Sequence, residues 1–365
     1  MGPGSDPEPG RPRDWAVETR TESLHLGWKY SEIFAQEGCL MGPIHPARKQ
    51  TLPPFLEEVF LEHHRPSRLS SDPLEFVHRF GSPLEQEAVA LIAAQLAYGN
   101  VKQIRRSVED WIRRVESSPQ KTVENWVRSL ATPEGIRAAN RALQGFVHRF
   151  HEGEELTLLF RLLQRSWERF GSLGAHFVRG LSPDDLDITL ALNTLLAEWR
   201  SWAVELNPGV AGGRAFGHFM SAPAQGSCCK RWCMFLRWMG RKDALDPGLW
   251  TAGAPLAAGF VRGRSLHSRQ LILPLDTHTG RISQYLGLTN RKSLGWRAAL
   301  EITEVLRCAD PEDPVRFDFA LSRLGILDLC QKRFRVEICR ECQLLPVCIF
   351  AKSEMKLLRK TTRKP

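Results

Sequence analysis

Apolar residues recur at three- and four-residue spacing along most of this chain, and that periodicity predicts helices rather than strands. GSPLEQEAVALIAAQLAYGN carries the clearest signals: Ser82 reads as N-cap, Pro83 as the first helical residue, Glu85 as the partner in a capping box and Gly99 as the stop. This helix is apolar over much of its circumference, which predicts burial. VKQIRRSVEDWIRRVES predicts an amphipathic helix with a basic face. PEGIRAANRALQGFVHRF, EELTLLFRLLQRSWERFG and LSPDDLDITLALNTLLAEWRSWAVEL predict three more, the last opened by Ser182-x-x-Asp185. Upstream, IHPARKQTLPPFLEEVFLEHH begins ordered structure, with Leu56, Val59, Phe60 and Leu61 on one helical face. Segments of period-two alternation are few and short, so the expectation is an all-α chain joined by Gly/Pro turns.

One stretch departs from plain helix packing. PAQGS breaks the chain and CCKRWCMFLRWMGR starts a helix with Lys230 and Arg231 near its N-terminus. Amides exposed at such a start, behind a turn at Gly226 and Ser227, suit a phosphate. After a loop-rich insertion, LILPL reads as a short extended run stopped by Pro274. Asp276 and Thr277 then start the helix HTGRISQYLGL, and on local grounds Asp276 is its N-cap. KSLGWRAALEITEVLRCA and the segment leading into Cys330 predict the last core helices.

Composition is that of a globular chain of 365 residues with 42% hydrophobic positions, enough for two lobes. No apolar run is long enough to span a bilayer and the N-terminus lacks a signal-peptide core, so a cytoplasmic protein is expected. The net charge of +9 is unevenly placed, with ten Lys or Arg against three Glu from Cys330 onward. That balance suits a polyanion, with Lys332, Arg333, Arg335 and Arg340 as candidate phosphate contacts and residues 353–365 as a solvated tail.

Nine cysteines without a secretory signal argue against disulfides. Four follow the spacing C-x8-C-x2-C-x5-C: Cys330, Cys339, Cys342 and Cys348. Four thiolates can hold zinc or a [4Fe–4S] cluster; a single C-x2-C knuckle favours iron–sulfur and leaves zinc as the alternative. Cys228, Cys229 and Cys233 read as packing residues.

Together these pieces resemble the helix-hairpin-helix (HhH-GPD) DNA glycosylase superfamily, in its endonuclease III-like branch, and most nearly the bacterial DUF2400 family within it. LPLDTHTGRISQYLGL is similar to the V-D-T-H-x-x-R-x-x-x-R-L-G-L segment, the cysteine cluster is similar with x8 in place of x6, and AAQLAYGN resembles S-A-Q-x-x-D. The hairpin differs from L-P-G-V-G-x-K-T-A; aligning KRWCMFL on its helix puts Lys230 at the lysine, with two residues inserted in the turn.

The resemblance implies a six-helix barrel lobe and a helical iron–sulfur lobe with a DNA cleft between them. It implies an extension over 1–50, the first part of the cluster lobe over 51–90, the barrel over 91–245 including the hairpin 221–239, an insertion over 246–270, the Asp-bearing and cluster segment over 271–350, and a basic tail over 351–365. It implies Lys230 as nucleophile and Asp276 as activating carboxylate. Gln95 would fill the gap left by a flipped nucleotide, while Gly226, Ser227, Arg231, His278 and Arg281 would contact DNA. The expected partner is damaged double-stranded DNA, bound by a nucleoid-associated monomer with no membrane contact. Base removal with AP lyase activity is the expected chemistry; a non-catalytic DNA-binding scaffold and a monofunctional glycosylase are the alternatives.

Overall fold

The computed structural model of the chain describes residues 46–261 and 264–361. Residues 1–45, most of the extension expected over 1–50, lie outside the described residues. Helices dominate, as the periodicity predicts, and none among the described residues is long and apolar enough to cross a membrane. The elements in order are α1 (Pro46–His63), α2 (Pro83–Gln95), α3 (Val101–Glu116), α4 (Val123–Ser129), α5 (Pro133–Ala142), the hairpin strands β1 (Val147–His148) and β2 (His151–Glu152), then α6 (Gly153–Phe170) and α7 (Leu173–Val178). There follow α8 (Thr189–Leu206), α9 (Pro208–Ala211), α10 (Arg214–Phe219), α11 (Lys230–Gly240), α12 (Thr277–Leu286), α13 (Trp296–Arg307), α14 (Asp318–Ile326), α15 (Val336–Arg340) and α16 (Ile349–Thr361).

Helix α2 is the centre of the larger packing group. Every side chain from Glu87 to Gln95 is buried, as an all-round apolar helix requires, and α11 packs against it. Its capping box does not form. Ser82 Oγ instead donates to Glu124 Oε2 at 2.9 Å, and Glu85 Oε1 accepts from the Val123 amide at 3.0 Å, so both side chains serve the start of α4. Burying Glu87 is offset by four donors: the Trp167 indole (2.7 Å), the Leu173 and Gly174 amides (2.9 and 3.0 Å) and the Trp250 indole (2.8 Å). Trp250 belongs to the segment expected as an inserted loop, so that insertion contributes to the core.

The second group joins α1, α12, α14 and α16. Leu52, Leu56 and Val59 form the buried face of α1, while Leu61 is turned to solvent, one step off that stripe. A buried ion network ties the groups together. Arg237 of α11 reaches both Asp246 (3.1 Å) and Asp318 (2.5 Å), and Arg241 reaches Asp246 (2.8 Å) and Asp313 (2.6 Å).

Two further sequence expectations are corrected. GFVHRF ends no helix: α5 stops at Ala142 and residues 147–152 form the one β-hairpin among the described residues. Ser182 and Asp185 close a turn of their own, the Ser182 amide on Asp185 Oδ2 at 2.7 Å, and α8 begins only at Thr189. The basic tail forms α16 to Thr361 and most of its described side chains are exposed, while Phe350 at its start stacks on Tyr285 at 4.1 Å.

Candidate functional site

The turn before α11 is held from both sides. Arg200 of α8 donates to the Met220 carbonyl and, at 2.8 Å, to Gln225 Oε1. Asn193 Oδ1 accepts the Ala224 amide at 2.9 Å, and the Gly226 carbonyl accepts the Trp296 amide at 3.1 Å. Gly226 is exposed with φ +75°, a left-handed conformation that glycine adopts without strain. Ser227 is half-buried, and its Oγ accepts the Cys229 amide at 3.2 Å. Cys229 has φ +48° and offers no side-chain cap, which leaves the first-turn amides of α11 without a capping partner.

Lys230 is the first residue of α11. It is half-buried, and its Nζ donates to the Ala97 carbonyl, just past the end of α2, at 2.8 Å. Asp276 closes the buried extended run 271–275 and is the N-cap of α12, as the local reading predicts; its Oδ1 accepts the Thr279 amide at 2.6 Å. Among the described residues no donor reaches its Oδ2. One oxygen is therefore committed to the helix and the other is left for a ligand.

Lys230, Asp276 and His278 together line two cavities. One, of about 370 Å³, is bounded by Arg237, Asp318, Arg323 and the end of α14. The other, of about 460 Å³, is bounded by Tyr98, His218, Ser221, Ser227 and Cys228. The lysine and the carboxylate thus face shared space on either side, brought there by two different helix starts.

The remaining expected site residues divide. Gln95 is fully buried, with neither end of its side-chain amide hydrogen-bonded, so it does not reach a DNA duplex. Arg231 is also buried: one nitrogen donates to the Gln95 carbonyl at 3.1 Å, another to the His218 carbonyl, and the guanidinium lies over Tyr98 at 5.6 Å. Burial lowers its pKa to about 10. Its donors are spent inside the fold, which corrects the phosphate role expected of it. Arg281 turns toward the cysteine segment and donates to the Cys330 carbonyl at 2.9 Å. His278 is half-buried on Gly325, where a β-carbon would come within 2.2 Å of its Nδ1.

An aromatic and histidine cluster borders the second cavity, and sequence reasoning missed it. The Tyr98 hydroxyl lies 2.5 Å from His151 Nδ1 and 3.1 Å from the His148 carbonyl. Burial pushes the Tyr98 pKa up to about 12. His151 is lowered to about 3 by burial and by His218, and His218 to about 4 by burial and by the Arg231 guanidinium. Neutral His151 donates from Nε2 to the Ala215 carbonyl at 2.9 Å, so its Nδ1 accepts the Tyr98 proton. Only the chain fold joins residues 98, 148, 151 and 218; no short-range spacing marks them.

The four clustered cysteines share one neighbourhood. Cys330 is partly buried, its thiol raised to about 11 by burial and further by Cys342, Cys348 and Cys339, against the lowering effect of Arg281. Cys342 is raised by burial, against the lowering effect of the Leu344 and Leu345 amides, and Cys348 Sγ accepts the Ala351 amide at 3.4 Å. Among the described residues no three His, Cys, Asp or Glu side chains stand close enough to hold a metal ion as placed. Cys229 and Cys233 are buried as packing residues; burial raises Cys229 to about 12.

A family model described as a protein of unknown function (DUF2400) matches residues 72–327, a span that contains Lys230 and Asp276 and ends before Cys330. No curated protein and no solved structure matches the chain.

Proposed function

The chain belongs to the DUF2400 family, and from its cleft we propose that it is a DNA base-excision glycosylase of the helix-hairpin-helix superfamily with AP lyase activity. The observation that carries this reading is the convergence of Lys230 and Asp276 on the same two cavities. Damaged duplex DNA binds with the target nucleotide turned out of the stack. The Lys230 nitrogen attacks the sugar C1′ through its lone pair as the bond from C1′ to the base breaks; the base leaves with the bonding electrons and takes up the proton that the nitrogen gives up. The free Oδ2 of Asp276 stabilises positive charge at the sugar as the glycosidic bond lengthens. The sugar ring then opens, with a second proton passing from the nitrogen to the ring oxygen, to give a Schiff base; removal of a C2′ proton expels the 3′ phosphate by β-elimination and nicks the strand. The uncapped amides of α11, behind the left-handed turn at Gly226, support phosphate binding that is indifferent to sequence.

The donor chemistry of Cys330, Cys339, Cys342 and Cys348 suits a [4Fe–4S] cluster, with zinc as the alternative. The Ala351 amide directed at the Cys348 sulfur favours a thiolate there. Such a centre supplies a cationic partner for mutually repelling thiolates, and these residues would hold it beside the exposed Lys332, Arg333 and Arg335. The visible absorption of the purified protein distinguishes the two metals.

The 2.8 Å tether from Lys230 to the Ala97 carbonyl favours a second reading, in which the lysine is structural and Asp276 directs water in a monofunctional glycosylase. Borohydride trapping on a panel of lesion-bearing duplexes separates them. The bifunctional reading requires a trapped adduct that Lys230→Ala abolishes; base release without an adduct favours the second. No release and no adduct on any lesion leaves only a DNA-binding scaffold.

A further inference from the structure

The cavity bounded by Arg237 and the end of α14 holds a second carboxyl for which the chemistry above has no use. Asp318 opens α14 and lines this space of about 370 Å³ together with Lys230 and Asp276. Its side chain is only 7% exposed. Oδ2 accepts from Arg237 Nη1 at 2.5 Å, and among the described residues no donor reaches Oδ1. The walls include Ile104, Met234, Trp238 and Phe319, an apolar surface of the kind that takes a flat base.

Pairing does not require Asp318 to be ionised. Arg237 also reaches Asp246, whose other oxygen takes Arg241 at 2.8 Å. Arg241 holds Asp243 and Asp313 as well, so two guanidiniums face four buried or half-buried carboxyl groups. His64 lies 2.5 Å from Asp243, so any charge it carries acts there and not at Asp318. From the other elements, Asp276 at the head of α12 faces the same cavity, and Arg323 of α14 is taken by Asp72. Negative charge is in surplus around Asp318, and a proton relieves it. Burial pushes the Asp318 carboxyl up to about 6 against the lowering effect of Arg237, and Asp276 and Asp246 raise it further. A carboxyl poised there can both give and retake a proton near neutral pH.

We propose that Asp318 is the proton donor to the departing base. As the bond from C1′ to the base breaks and the bond from C1′ to the Lys230 nitrogen forms, the Asp318 O–H proton passes to the base, which keeps the bonding electrons. The Asp318 carboxylate then takes the proton that the lysine nitrogen gives up, which restores the carboxyl for the next turnover. Asp276 serves the sugar and Asp318 serves the base. The inference rests on the glycosylase reading and supplies the carrier for its proton.

The test uses the full chain, the panel of lesion-bearing duplexes and a duplex holding a natural aldehydic abasic site, from which no base departs. At pH 6 wild type is expected to release base from at least one lesion and to form a borohydride adduct with the abasic duplex. Asp318→Asn keeps an acceptor for Arg237 but has no carboxyl proton to give. It is expected to slow base release about a hundredfold, the low end for a lost general acid, while adduct formation on the abasic duplex changes far less. Asp318→Glu is expected to recover part of the release. The advantage of wild type over Asp318→Asn is expected to shrink as pH rises through about 6, where the donor loses its proton. Equal loss of base release and abasic adduct in Asp318→Asn would make the residue a packing group and overturn the donor. Undiminished release in Asp318→Asn would overturn it too, and the glycosylase reading would then stand alone. A wild type that releases no base from any lesion removes both.

Discussion

Asp276 does two jobs that substitution can separate. Its Oδ1 caps α12 through the Thr279 amide, and its Oδ2, which no donor reaches among the described residues, lines the same cavity as Lys230. Asparagine caps helices as well as aspartate does but carries no charge. Asp276→Asn is therefore expected to melt close to wild type while base release falls by at least about a hundredfold, the usual scale for losing one preorganised electrostatic group. Asp276→Ala is expected to lose that activity and also about 1 kcal/mol of stability in urea titration. Equal activity in wild type and Asp276→Asn would reduce the residue to a cap. Glu87 is the contrasting carboxylate, wholly structural and far more costly to remove. Its burial raises its pKa, and four donors hold it in place. Glu87→Ala would leave two indoles and two amides unpaired in the core, with an expected loss of about 3–5 kcal/mol in the same titration.

At the scale of elements, the sequence was most legible where periodicity and chain punctuation agree. The helices at 101–116, 153–170 and 277–286 and the cap at Asp276 follow from local pattern, because each answers to its own residues. The hairpin at 147–152 did not, because its alternation spans only six residues and its turn, Arg149–Phe150, uses neither glycine nor asparagine. Its stability comes from Ser107, Tyr98 and Ala215, all remote in sequence. Gln95 and Arg231 were misplaced for a related reason: motif position says nothing of burial. One consequence is a pH response. His218 titrates at about 4 in the fold and near 6.5 in the unfolded chain. As pH falls through that window the unfolded chain takes up the proton first, so stability is complete above 6.5 and declines toward 4. His151, lower still, adds to the same trend. The His218 side chain makes no hydrogen bond among the described residues, so His218→Phe removes its titration and keeps the ring. Melting temperatures of that variant between pH 6.5 and 4 are expected to fall less steeply than those of wild type.

For the molecule as a whole, the decisive property is where its positive charge is available. Many arginines of the helical body are spent internally: Arg237 and Arg241 in the buried ion network, Arg231 on carbonyls, Arg281 on Cys330. Lys332, Arg333, Arg335 and Arg340 differ, since all four are exposed and none forms an ion pair among the described residues. The segment that bears them is anchored at the Cys330 carbonyl by Arg281 and at the Lys332 carbonyl by the Tyr285 hydroxyl, 3.1 Å away. Arg281 and Tyr285 belong to α12 and Asp276 is its N-cap, so the helix that the carboxylate opens also fixes the basic segment. A polyanion held there would be registered against the cleft. If the polyanion is duplex DNA, each phosphate neutralised releases counterions and adds about −0.9 to the slope of log affinity against log salt. Neutralising Lys332, Arg333 and Arg335 together to Gln is expected to reduce that slope in magnitude by up to about 2.7. Because these groups contact no base, the loss should be the same on damaged and undamaged duplexes, measured by fluorescence anisotropy from low to physiological salt. An unchanged slope would mean that this segment contacts no phosphate and would leave the α11 amides to carry any binding of duplex DNA.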